Sequence, residues 1–149
     1  LSLRSQGRCA HPFRMSGVVF PFERVPSKIF GKIFRPMAFV DFWSYRFKEW
    51  CEIAAIADTG ADYTLLPRFY ADDFGVNLKT QCRRKMTKGI GGGEWVFLYP
   101  KMKILFSGKR MVIPVGFVNR NDLPPILGRH KFLEKFKVTF YRHQTRFER

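Results

Sequence analysis

An aspartate, a threonine and a glycine close an apolar run: Ile53-Ala54-Ala55-Ile56-Ala57 leads into Asp58-Thr59-Gly60-Ala61-Asp62. Small and branched apolar residues ahead of Asp58 predict a buried strand, and Gly60 permits a tight turn at its end. The Asp58 carboxylate is then carried inward. An ionised acid in an apolar wall is costly unless something compensates it, which makes Asp58 a candidate for acid–base chemistry. The Thr59 hydroxyl can brace the turn, and Gly60 leaves the backbone open to another chain or a substrate.

Other chemistries find no matching pattern. His11, His130 and His143 lack metal-ligand spacing, no GxSxG nucleophile elbow occurs, and Cys51 and Cys82 have no accompanying base signature. Cys9, Cys51 and Cys82 are odd in number with no CxxC pair, so neither a disulfide framework nor a zinc site is expected. The stretch Gly89-Ile90-Gly91-Gly92-Gly93 predicts a flexible hairpin tip around one exposed Ile. Glu94 stands where a dinucleotide loop needs glycine, and no Gly-Lys-Ser/Thr is present, so it is not a phosphate cradle. No cofactor and no metal are expected.

Three segments in one order resemble the retropepsin-like aspartic peptidases, the single-lobe members of clan AA. They are Asp58-Thr59-Gly60-Ala61 with Leu65-Leu66-Pro67 behind it, Gly89-Ile90-Gly91-Gly92, and Ile126-Leu127-Gly128-Arg129. The resemblance covers about residues 50 to 140. It implies an all-β fold, a closed acid-protease β-barrel with one short C-terminal helix and one lobe per chain. It implies catalysis by Asp58, a Thr59 hydrogen bond bracing the site, and Gly60 backbone contact to substrate, with Ala61 and Asp62 lining the adjoining wall. Gly89 to Gly92 become a flap whose tip, Ile90, holds a water through its N–H. Gly128 lets its strand pack against the catalytic loop, and Arg129 pairs with Asp62. Lys88 departs from the family, where a glycine is frequent.

Aspartic peptidase chemistry needs two carboxylates sharing one proton. Only one Asp-Thr-Gly is present and no Asp-Ser-Gly, which excludes a two-lobed monomer. The second carboxylate must come from a second copy, so an isologous homodimer with a peptide or protein substrate is expected.

The elements that position these residues follow from pattern. Val18 to Lys48 reads as short strands punctuated by Pro21, Pro26, Gly31 and Pro36; Ala38–Tyr45 and Phe47–Ala57 read as two strands, the second delivering Asp58. Arg68 to Gly75 reads as a short helical turn closed by Gly75. Lys79–Lys88 and Trp95–Tyr99 flank the glycine tip, and Lys101–Phe106 with Met111–Val118 make a further hairpin in which Pro114 predicts an edge or a bulge. An amphipathic helix is expected over His130–Phe136, then a terminal hairpin around Arg142-His143-Gln144.

At 149 residues the chain is one domain by size, with 46% apolar residues and 17 Phe to fill a core. Residues 1–24 read as an N-terminal arm, loose or a misassigned start, and 25–149 as the folded domain. The cysteine pattern points to a reducing, cytoplasmic compartment, and no apolar run is long enough for a membrane span, so no membrane partner is expected. A net charge of +15 favours acidic partners: nucleic acid, an anionic membrane surface or acidic peptides. Two other readings remain open: a non-catalytic dimerising or peptide-binding module of the same fold, and a basic β-barrel binding nucleic acid through Arg83, Arg84, Lys85, Trp95 and Phe97.

Overall fold

The computed structural model describes residues 17–89 and 92–149. Nearly everything regular in them is strand. The chain runs β1 (Val18–Pro21), β2 (Glu23–Ser27), β3 (Gly31–Arg35), β4 (Met37–Ser44), β5 (Glu49–Ala57), β6 (Thr64–Pro67), α1 (Phe69–Phe74), β7 (Arg83–Gly89), β8 (Gly92–Phe106), β9 (Lys109–Val118), β10 (Ile126–Leu127), β11 (Lys137–Tyr141) and β12 (Gln144–Glu148).

The main sheet has seven strands in the order β4-β5-β10-β6-β9-β8-β7, and β4 also pairs with β8. β4 and β5 form a long antiparallel pair from Met37↔Ile56 to Ser44↔Glu49. Alternation sets their inner face: Ala38, Val40 and Phe42 on β4, and Ile53, Ala55 and Ala57 on β5, are all buried. β8 reaches both β4 and β9 because it is long and breaks register between Tyr99 and Met102. Pro114 lies opposite that break, so the proline sits at a bulge in an interior strand. Trp95–Tyr99 and Lys101–Phe106 are therefore one bent strand.

A second sheet, β1-β12-β11, packs on the first through aromatic rings. Phe106 is its hub, with ring centroids 5.0 Å from Phe132 and Phe147 and 5.4 Å from Phe136, each close to edge-to-face. Phe20 joins from β1, 6.1 Å from Phe106. Such rings each remove a large area from water, so much of the phenylalanine content goes into seaming two sheets.

Three expectations change. Residues 18–24, assigned to a loose arm, are built in: β1 pairs with β12 from Val18↔Phe147 to Pro21↔Gln144, and Val18 and Phe20 are core residues. Residues 1–16 of that arm lie outside the described residues. The C-terminal helix over His130–Phe136 is a single 3-10 turn, Leu133–Lys135. Lys131 has φ +61° and Phe136 is already extended, because the chain must bring Phe132 and Phe136 onto Phe106 and enter β11 at once. The α-helix that does form is α1, ended by left-handed Gly75 (φ 72°). The basic strand begins at Arg83 and not at Lys79, because Asn77 Oδ1 accepts the N–H groups of Lys79 and Thr80 and holds that stretch as a turn.

Candidate active site

Asp58 follows the last residue of β5, and the loop it opens is gripped from behind by residues 125–130. β10 lies between β5 and β6, parallel to the first (Leu127↔Ala57) and antiparallel to the second (Ile126↔Leu65). Asp58 N–H donates to Leu127 O at 3.0 Å. On the returning limb, Arg129 N–H donates to Ala61 O at 2.9 Å and His130 N–H to Asp62 O at 2.7 Å. Between them Gly128 N–H donates to Thr64 Oγ1 at 3.2 Å, and Thr64 is 1% exposed. Both limbs of the loop are thus held by backbone groups, which side-chain motion cannot release.

Gly128 makes the grip possible. A Cβ built there would collide with the backbone Cα, C and O of Tyr63. Only a residue without a side chain lets the two chains lie this close.

Inside the loop, Ala61 N–H donates to Asp58 O at 3.1 Å and Gly60 N–H to Asp58 Oδ1 at 2.9 Å. The carboxylate is half-buried, not carried into the core. Ile53, Ala55 and Ala57 take the inward positions, and Asp58, one residue on, falls on the opposite phase. Thr59 and Gly60 are exposed, Ala61 is half-buried and Asp62 is exposed.

Arg129 clamps the outside of the loop. One guanidinium nitrogen donates to Thr59 O at 2.6 Å and the other to Asp62 Oδ1 at 2.7 Å. Both side chains are well solvated, so the ion pair contributes at most about 1 kcal/mol, and its effect is on geometry.

The glycine-rich hairpin is β7 with β8, paired from Arg83↔Leu98 to Gly89↔Gly92. Ile90 and Gly91 lie outside the described residues. Near the hairpin's root the Val96 side chain, the Tyr63 ring and the Leu65 side chain converge on Gly116, 2.7, 2.8 and 2.9 Å from where a Cβ would stand. Tyr63 follows Asp62, so the same residue joins the loop's exit to strand β9 at Gly116. Tyr63 and Thr64 had no motif to mark them.

On β7, Arg83, Arg84, Lys85 and Lys88 are exposed. Arg84 lies 4.3 Å from the centroid of Trp95, and Arg68 lies 5.6 Å from that of Phe97. A separate cavity of about 510 Å³ is lined by Trp43, Trp50, Lys103, Arg110, Met111 and Val112. Trp50 stands at the other end of β5 from Asp58, roughly 26 Å away along the strand at 3.3 Å per residue.

Both described thiols are half-buried. Burial pushes Cys82 up to about 11; burial first, then the nearby Glu49, Asp73 and Asp41 carboxylates, raise Cys51. Neither is an activated nucleophile. Among the described residues no group of three or more His, Cys, Asp or Glu side chains is arranged to hold a metal ion. No family model matches the chain, and no curated protein matches it in sequence.

Proposed function

We propose that this chain is a retropepsin-like aspartic endopeptidase that works as a homodimer, each copy contributing Asp58. The observation that carries the reading is the grip of residues 125–130 on the Asp58 loop. A rigid turn that presents a half-buried carboxylate beside exposed Thr59 and Gly60 is what a shared-proton dyad requires. The closed barrel with one lobe per chain belongs to the same proposal, supported by β4 pairing with both β5 and β8.

In this mechanism the two Asp58 carboxylates share one proton. The ionised one takes a proton from water as the oxygen attacks the peptide carbonyl, and the protonated one donates to the carbonyl oxygen. Collapse of the tetrahedral intermediate then passes a proton to the departing amine. The apparent pKa values belong to the pair, and activity falls towards alkaline pH as the shared proton is lost. Thr59 braces the two loops, Gly60 leaves room for substrate backbone, and Ala61 and Asp62 line the wall. Gly89, Ile90, Gly91 and Gly92 act as the flap over the bound peptide, and Gly128 and Arg129 hold the loop from behind.

A nucleic-acid-binding barrel has less support, because Arg84 and Arg68 already lie over Trp95 and Phe97, the rings on which bases would stack. The deciding experiment is hydrolysis of an unfolded protein by wild type and by Asp58→Asn, with mass measured in solution. Cleavage by a wild-type dimer and none by the folded variant is expected. A strictly monomeric wild type, or an Asp58→Asn variant that cleaves equally well, overturns the proposal.

A further inference from the structure

Strands β2 and β3 pair with each other from Glu23↔Arg35 to Ser27↔Gly31, and form a two-stranded ribbon of their own. A lone hairpin is marginal in water, and this one is moored at its base. The Phe34 ring stacks on the His143 imidazole with centroids 4.1 Å apart, and Phe22 N–H donates to His143 O at 2.8 Å. Val25 and Ile33, opposite each other, are half-buried.

The far end is different. Ile29 is 81% and Phe30 75% exposed, side by side at the apex. Single exposed apolar residues are common; an adjacent pair at the tip of a projecting turn, set among cations, is not. Lys28 adjoins them, Lys32 follows on β3, and Arg24 and Arg35 lie towards the base, while Glu23 is the one acid of residues 23–35. The turn is also prebuilt. Ser27 Oγ accepts the N–H of Ile29 at 3.3 Å and of Phe30 at 3.1 Å, and Gly31 at φ +77° turns the chain back.

We propose that this hairpin is a membrane anchor: Ile29 and Phe30 insert into the surface of an anionic bilayer while Lys28 and Lys32 lie among its acidic headgroups. The apex is convex and cannot enclose a small molecule. It can bury its apolar pair only in a medium that yields around it. At the boundary of headgroup and acyl chain an unpaired amide is costly, and Ser27 has already satisfied the two that lead the tip in. Lysine stems can lie along apolar surface with the ammonium kept in the polar layer. The net charge of +15 draws the molecule to the same surface over about one Debye length, roughly 8–10 Å in physiological salt. Two side chains bury less than an acyl chain, so the attachment is reversible. This runs against the sequence-based expectation of no membrane partner, and it is independent of what Asp58 does.

The test is co-sedimentation of the full chain with phosphatidylcholine vesicles, with and without phosphatidylserine. Wild type should bind only the phosphatidylserine vesicles, and less as salt rises. Ile29→Ser with Phe30→Ser, at solvent positions that leave the fold unchanged by circular dichroism, should weaken binding about a hundredfold. Lys28→Glu with Lys32→Glu should weaken it as well. In Phe30→Trp the added emission should shift to shorter wavelength with vesicles and be quenched by brominated acyl chains. Equal binding by the Ile29/Phe30 double variant would reduce the effect to unspecific charge and overturn the proposal. So would a Phe30→Trp variant whose added emission ignores vesicles but shifts with protein concentration, since the tip would then dock on a second copy.

Discussion

Replacing Gly128 by alanine adds one methyl group at the point where two backbones touch. The atoms it meets are Tyr63 Cα, C and O, none of which can rotate away as a side chain would. Relief requires either strand β10 or the Asp62–Tyr63 limb to move. Moving either one disturbs Gly128 N–H to Thr64 Oγ1, Leu127 O from Asp58 N–H and Arg129 N–H to Ala61 O. Overpacking costs about 1–3 kcal/mol, and the three hydrogen bonds, weakened and not lost, together about 2 kcal/mol more. A loss of about 4 kcal/mol is therefore expected, a large share of the roughly 5–15 kcal/mol by which such domains are stable. At about 2–4 °C per kcal/mol for this chain length the melting point should fall by roughly 12 °C. Thermal unfolding followed by circular dichroism reads this directly, with Thr64→Val as a comparison that removes one acceptor and adds no clash. The hydrolysis proposed above, measured well below both transitions, should fall too, because the Asp58 loop is displaced while the fold persists. A Gly128→Ala protein melting within about 2 °C of wild type would refute the reasoning, since the strand could not then be seated on Tyr63.

If the proposed dimeric peptidase is right, Asp58→Asn should fold and self-associate as wild type does yet lose about 10²–10⁴ in hydrolysis rate, read from a quenched peptide at fixed protein concentration. Arg129→Met should cost at most about 1 kcal/mol in denaturant unfolding, given how solvated the pair with Asp62 is, yet lower the rate by freeing Thr59 O and Asp62. Cys82 should alkylate about tenfold more slowly at pH 8 than a thiol at its ordinary value of 9.0, because burial lifts it to about 11 and the scarcer thiolate is only partly offset by its greater nucleophilicity; mass spectrometry of the Cys82 peptide after digestion reads the modification. The same shift sets a pH dependence. The folded state favours the neutral thiol, so this contribution is complete below the unfolded value and lost as pH rises through about 11. Denaturant midpoints should decline over that range, and less steeply in Cys82→Ala.

The strands and their turns were legible because alternation and turn chemistry act locally. Ala38 to Ala57 folds back on itself near Tyr45-Arg46, and the Pro114 bulge follows from a missing donor. The Ile126-Leu127-Gly128-Arg129 segment was legible as a motif, but its grip on Asp58, Ala61 and Asp62 joins residues some seventy positions apart, which no local window contains. Phase was misjudged at Asp58, where a continuous apolar run hid which of its members face inward. The C-terminal helix was misread because Phe132, Leu133 and Phe136 carry a helical spacing, while the need to reach Phe106 and then enter β11 allows only one tight turn. Val18 to Pro21 was legible as a short strand, but its place in the core rests on pairing with β12, whose residues lie far outside any local window.

A ribosome reading this chain makes Asp58 long before it makes the residues that hold it. The donors and acceptors that shape the loop come from residues 127–130, and β12, which seals the aromatic seam, comes later still. At ordinary elongation speeds of about 5–20 residues per second, several seconds separate the acid from its clasp. A growing or prematurely terminated polypeptide therefore carries the acidic tripeptide without its clasp, and any competence it confers is withheld until residues 127–130 have been made.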